Sequence, residues 1–196
     1  MRKLLLITAA VAAAIAGAVA GEPSFGTFTD TRDGQTYKTV TIGKQTWMAQ
    51  NLNYKTDSSW CYKNADSNCV KYGRLYDWKT ATTVCPKGWK LPSLEDWDRL
   101  VATAGGEEIA GKKLKSKSGW NENGNGTDNY GFSALPSGYY FRSDFYSVGD
   151  NGHWWTVTED AGRFAHSRYM LSTDYVYNGS SYVYKGHSVR CVADRP

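Results

Sequence analysis

Val84-Cys85-Pro86-Lys87-Gly88-Trp89-Lys90-Leu91-Pro92-Ser93 is the stretch around which the chain organises itself. It sets a cysteine beside two prolines that fix φ, a glycine free to take positive φ, a large apolar Trp and a side chain suited to cap a helix. The residues that follow predict a helix over 94–104. Glu95 and Asp96 lie in its first turn, where the helix dipole favours acid, and Leu94, Trp97, Leu100, Val101 and Ala104 form one apolar stripe. Gly105-Gly106 ends it. On the upstream side, Leu75, Trp78 and Ala81 fall on one helical face, predicting a short helix within 72–81 that stops before Cys85-Pro86.

Further toward the N-terminus, Tyr37-Lys38-Thr39-Val40-Thr41-Ile42 alternates and is rich in β-branched residues, Gly43-Lys44 suits a two-residue turn, and Gln45-Thr46-Trp47-Met48-Ala49 returns. This predicts a β-hairpin with Trp47 and Ala49 on one face and Thr46 and Met48 on the other. Asp33-Gly34-Gln35 marks the turn where organised structure begins, and residues 21–31, small, polar and Gly-rich, read as a short flexible leader. Toward the C-terminus, residues 109–138 read as a long loop region whose Phe132-Ser133-Ala134-Leu135 end re-enters the core. Strand-like runs follow at 153–158, 163–171, 175–177, 182–185 and 188–193. Strands, then two helices, then loops, then more strands is an α+β order: two short helices flanking small antiparallel sheets in a single domain over 32–196.

Met1-Arg2-Lys3, an apolar run over 4–16 and Ala18-Val19-Ala20 have the three parts of a signal peptide, so residues 1–20 are expected to be removed and the remainder to be secreted, periplasmic or displayed at the cell surface. Without Arg2 and Lys3 the net charge falls from +4 to +2, with 21 basic against 19 acidic residues and no basic stripe; nucleic acid is not the expected partner, and the rest of the chain has no run long enough to span a membrane. Eight Trp and fourteen Tyr point to an aromatic core, ligand platforms, or both. Four cysteines in an exported chain make two bridges, with three possible connectivities. Cys61–Cys69 and Cys85–Cys191 are preferred: the first closes the polar loop over 63–68, the second ties the organising stretch to the last strand. Loop-closure entropy assigns the long bridge roughly 4 to 5 kcal/mol and the short one somewhat under 3 kcal/mol. A zinc site would need closely paired ligands, which this spacing lacks.

Six ordered motifs then become recognisable: TVTIGKQTWMAQNLN (39–53), YGRLYDW (72–78), VCPKGWKLP (84–92), GFSALPSG (131–138), WWTVTE (154–159) and SVRCV (188–192). Together they resemble the Fibrobacter succinogenes major paralogous domain, across about residues 30–195. That family is similar to the C-type-lectin-like and formylglycine-generating-enzyme group of folds. The resemblance implies a disulfide-stapled, loop-rich α+β domain with a C-type-lectin-like fold whose loops carry a ligand site; it supplies a fold more than an activity.

Candidate site residues fall into three groups. Trp120, Tyr139, Tyr140 and Trp154 could form an aromatic platform for sugar rings, although of the neighbours Trp154 and Trp155 only one can face outward from a strand. Asn121, Asn123, Asn125 and Asp128 resemble the opening of a calcium loop, but the twelfth position is Phe132 rather than a bidentate Glu, so an Asx-rich turn with no cofactor is the preferred reading and a calcium site the alternative. His153, Glu159 and Asp160 are the residues that a hydrolase would have to use, and Arg190 is expected to point away from its buried neighbours and pair with an acid such as Glu159. The expected function is a secreted, non-enzymatic binding domain that contacts carbohydrate or a cell-surface protein through its loops near residues 115–130 and 140–152. A structural module of the bacterial envelope or secretion machinery is the alternative, and a hydrolase or oxidase the remote one.

Overall fold

The computed structural model describes residues 22–194; the signal segment read over 1–20 lies outside them. The N-terminal half runs through β1 (Ser24–Thr29), β2 (Thr36–Ile42), β3 (Gln45–Met48), β4 (Ser59–Trp60), a 3-10 turn (Tyr62–Asn64), α1 (Asp66–Tyr72), β5 (Leu75–Tyr76), α2 (Trp78–Val84), β6 (Trp89–Lys90), α3 (Leu94–Thr103) and α4 (Glu107–Leu114). The C-terminal half is all strand: β7 (Ser137–Phe141), β8 (Asp144–Val148), β9 (Gly152–Glu159), β10 (Phe164–Met170), β11 (Val176–Tyr182), β12 (His187–Ser188) and β13 (Val192–Ala193).

The strands form two sheets. One has the order β1-β2-β3-β13-β6; the other has β11-β10-β9-β12-β5-β4, with β7 joined to β9 and β8 to β7. The class is α+β, as expected, but the described residues hold four α-helices rather than two, and the second sheet is mixed, since β7 and β12 both run parallel to β9.

Where local chemistry is strong, structure follows it. Ser93 and Asp96 form a reciprocal capping box on α3, worth about 1 kcal/mol, and Trp97, Leu100 and Val101 are buried. Gly43 takes φ +58° in the two-residue turn between β2 and β3. Trp47 and Ala49 pack into one core and Met48 into the other, as the alternation requires. The first core centres on the rings of Trp47, Trp97, Phe132 and Trp154, with centroids 5.3–5.9 Å apart in tilted and edge-on pairs. Both bridges are the preferred ones, Cys61–Cys69 and Cys85–Cys191.

Elsewhere the structure corrects the reading. The leader over 21–31 contains β1, an edge strand whose Phe28 packs on Trp89 at 5.2 Å. The helix placed within 72–81 begins only at Trp78, where Asp77 accepts a bond from the Thr80 N–H; Leu75 and Tyr76 are instead a strand. The polar loop between Cys61 and Cys69 contains the 3-10 turn and the first half of α1. The loop region over 109–138 begins inside α4, whose Glu107 and Glu108 at one end and Lys112 and Lys113 at the other suit the helix dipole. The runs at 175–177 and 182–185 are the one strand β11 and the turn after it. The single strand read over 188–193 is divided between the sheets: β12 lies in one, β13 in the other, and Val189-Arg190-Cys191 crosses between them.

Candidate ligand-binding face

The crossing segment builds the polar centre of the molecule. Arg190 is fully buried, and its guanidinium donates to Asn51 Oδ1 from Nε (3.0 Å) and Nη2 (2.7 Å) and to the Phe132 carbonyl from Nη1 (2.5 Å). Asn51 Oδ1 also accepts from Trp154 Nε1 at 2.9 Å, and its Nδ2 donates to the Tyr72 carbonyl (2.9 Å) and to Ser188 Oγ (3.2 Å). The expected Arg190–Glu159 pair does not form. Burial lowers the Arg190 pKa to about 9, and the charge of Asp128 offsets only part of that. Five of the six motifs meet here, through Asn51, Tyr72, Phe132, Trp154 and Arg190. They specify a scaffold node that every buried partner satisfies.

Two of the four platform residues belong to that interior. Trp154 is fully buried, and Trp120 is buried with its Nε1 donating to the Ala134 carbonyl at 3.0 Å. Neither can stack on a sugar. Tyr139 and Tyr140, on β7, are partly exposed and point to opposite faces; Tyr140 stacks on Trp60 at 4.1 Å.

Tyr139 belongs to a larger feature. The face of the second sheet that carries Trp154, Met170 and Val176 packs on α3 and α4. On the other face, aromatic side chains at paired positions make a row across five strands. Tyr177 of β11 stacks on Tyr169 of β10 at 4.9 Å, Tyr169 on His153 of β9 at 5.2 Å, His153 meets Tyr139 of β7 edge-on at 5.4 Å, and Tyr139 stacks on Tyr146 of β8 at 5.4 Å. Strand register places them: Tyr169 opposes both Tyr177 and His153, and Tyr139 opposes Tyr146. Gly179 leaves the space that the Tyr169 ring fills, since a Cβ there would lie 2.9 Å from it. Most neighbours in the row stack face to face, and the Tyr177 hydroxyl is hydrogen-bonded to Thr173 Oγ1 at 3.1 Å. Phe141, Tyr182 and Tyr184 extend it, the last two 38% and 47% exposed. The sequence signal was the repeated aromatic-x-aromatic spacing of Tyr139/Phe141, Tyr175/Tyr177 and Tyr182/Tyr184, which puts both rings on one face of a strand or strand end.

The remaining candidates are kept apart. Asn121 Nδ2 donates to Asp150 Oδ1 (2.9 Å), Asn125 Oδ1 accepts from the Trp120 N–H (3.0 Å), and the Asp128 carboxylate accepts from the Ser133 N–H and Oγ (2.8 and 2.6 Å). Asn123 is exposed with φ +59°. The Asn125 and Asp128 oxygens are each taken up by a different part of the loop, and no group of three or more His, Cys, Asp or Glu among the described residues is arranged to hold a metal. His153 and Glu159 sit at opposite ends of β9, roughly 20 Å apart at strand rise. His153 instead meets His187 at 4.9 Å. Burial depresses the His153 pKa to about 3 and that of His187 well below the usual value, so both are neutral near pH 7. A cleft of about 260 Å³ opens beside Asn53, Lys71 and Tyr72, but the Asn51 amide at its wall is consumed by the node.

No helix among the described residues is long and apolar enough to cross a membrane. Comparison with curated proteins and with solved structures finds no match. Residues 40–193, which hold nearly all of the six motifs and the node they build, match the Fibrobacter succinogenes major domain, and the chain belongs to that family.

Proposed function

We propose that this chain is a secreted, non-enzymatic binding module with a C-type-lectin-like fold, and that it holds a polysaccharide against the outer aromatic row. The observation that carries the reading is the row's continuity. Five rings at 4.9–5.4 Å steps follow one another across five strands, each partly exposed and each locked by its neighbours. A sugar polymer presents alternating C–H patches and hydroxyls, and tyrosine offers a matching apolar body with a polar tip. The rings are already ordered, so binding has little side-chain entropy to lose. Two disulfides support an oxidising compartment.

The test is a thermal melt of the oxidised protein against a panel of plant and bacterial polysaccharides, since a ligand of the folded state raises Tm by mass action. At least one glycan is expected to raise Tm in the native protein and not in the Tyr139→Ala/Tyr169→Ala variant. A panel that leaves Tm unmoved would sink the carbohydrate reading and turn the search to a protein partner at the cell surface.

A further inference from the structure

The outer row carries positive charge that nothing in the fold neutralises. Lys185, in the turn after β11, holds its Nζ 5.0 Å from the Tyr139 ring centroid and 5.0 Å from that of Phe141. Arg142 places its guanidinium 5.0 Å from the same Phe141 ring. Among the described residues neither side chain has an ion pair or a side-chain hydrogen bond, whereas the structural cations do: Arg168 pairs with Asp98 and Glu107, and Arg32 with Asp30. Lys185 is also half-buried, and burial alone lowers its pKa, with no carboxylate acting in the other direction. An ammonium partly stripped of water and left without an anion is costly unless something supplies one. Next to it, both nitrogens of His153 and Nδ1 of His187 are buried without hydrogen-bond partners, and none of them bonds Lys185.

We propose that the polymer held on this face is anionic, a polysaccharide bearing carboxylate or sulfate groups, with Lys185 pairing to one of those groups and Arg142 to another while the sugar rings lie along the tyrosines. This deepens the carbohydrate reading and rests on it. Charge complementarity supports it: the net charge is small, +4 over the whole sequence and +2 without Arg2 and Lys3, yet these two unpaired cations stand among aromatic rings on one face. The row spans five strands, about 20 Å at ordinary strand spacing, so the fitting ligand is a chain of several sugars and not a single anion.

The experiment titrates the oxidised protein with polygalacturonate, with the same polymer methyl-esterified to remove its charge, and with dextran sulfate beside neutral dextran. Native protein is expected to bind at least one charged polymer and to bind its neutral counterpart at least tenfold more weakly; which of the two binds identifies the anion as carboxylate or sulfate. Lys185→Gln is expected to weaken binding about tenfold and Lys185→Arg to retain it within a few-fold, while Lys79→Gln, an exposed lysine on α2 that changes net charge equally, leaves it unchanged. Equal losses in Lys185→Gln and Lys79→Gln would reduce the effect to bulk charge and overturn the proposal. Binding of the esterified polymer as strong as that of the acid would overturn it too, while leaving the aromatic-row reading intact. Binding of no polymer, charged or neutral, would overturn both.

Discussion

The two faces of the sheet formed by β9, β10 and β11 use similar residues for opposite ends. Inward, Trp154, Met170 and Val176 pack on α3 and α4, the Trp154 indole N–H is spent on Asn51, and Arg168 is held by Asp98 and Glu107. On the other face, Trp155 and Ala165 are buried in the second core, while Tyr177, Tyr169 and His153 stack in a partly exposed row that continues to Tyr139, with His153 also against His187 and an unpaired cation beside it. The inner face therefore connects to residues of the six motifs, while none of Tyr139, Tyr146, His153, Tyr169 and Tyr177 lies in any of them. Buried polar groups must be satisfied by partners at fixed positions, and that ties sequence to fold. An outer face has no such obligation, so it is where a ligand can be accommodated.

Substitutions can sharpen this contrast. Removing the long bridge with Cys85→Ala/Cys191→Ala should cost about 4 to 5 kcal/mol, read as a fall in the urea midpoint, because it closes the largest loop in the chain. Asn51→Ala should cost about 3 to 4 kcal/mol, since it leaves the buried Arg190 guanidinium facing the space where its main acceptor stood. A loss under about 1 kcal/mol would mean that the node is not what holds the two sheets together. On the outer face Tyr169→Thr should cost no more than about 1.5 kcal/mol, two ring contacts on a half-exposed strand surface, while abolishing the glycan-induced Tm shift. If it destabilised the fold as much as Asn51→Ala, the row would be scaffold and the contrast would fail.

His153, within the outer row, and its neighbour His187 make a pH prediction. The unfolded chain takes up a proton on His153 near pH 6.5, but the folded chain only near 3, so between those values the unfolded state binds more protons. Stability is then complete above about pH 6.5 and falls as the pH drops toward 3, by up to about 1.4 kcal/mol per pH unit for His153, with His187 adding in the same direction. Urea midpoints at pH 7 and pH 5 check this, and His153→Asn should flatten the acid limb without abolishing it.

Which parts were legible follows from range. The β2–β3 hairpin and α3 are set by residues within a turn or two of one another: Gly43 with its positive φ, and Ser93 and Asp96 bonding each other. The disulfides were readable because exported cysteines pair and only three pairings exist. Arg190 was misplaced for an identifiable reason. Alternation assigns it to the side opposite Val189 and Cys191, and opposite is outward only when a strand has one wet face; here the chain passes between two sheets and both sides are interior. β1 was missed because Ser24-Phe25-Gly26-Thr27, an edge segment interrupted by glycine, gains its structure from pairing with β2.

By itself, then, the sequence determined the local elements with strong caps and turns, the bridges and the family, because those depend on short-range chemistry or on motifs readable in order. Only the tertiary structure decided that Tyr139, Tyr146, His153, Tyr169 and Tyr177 form one row and that Lys185 stands over it. These residues are brought together by strand register, and register is fixed by the burial of the face beneath them, through contacts far apart in the chain.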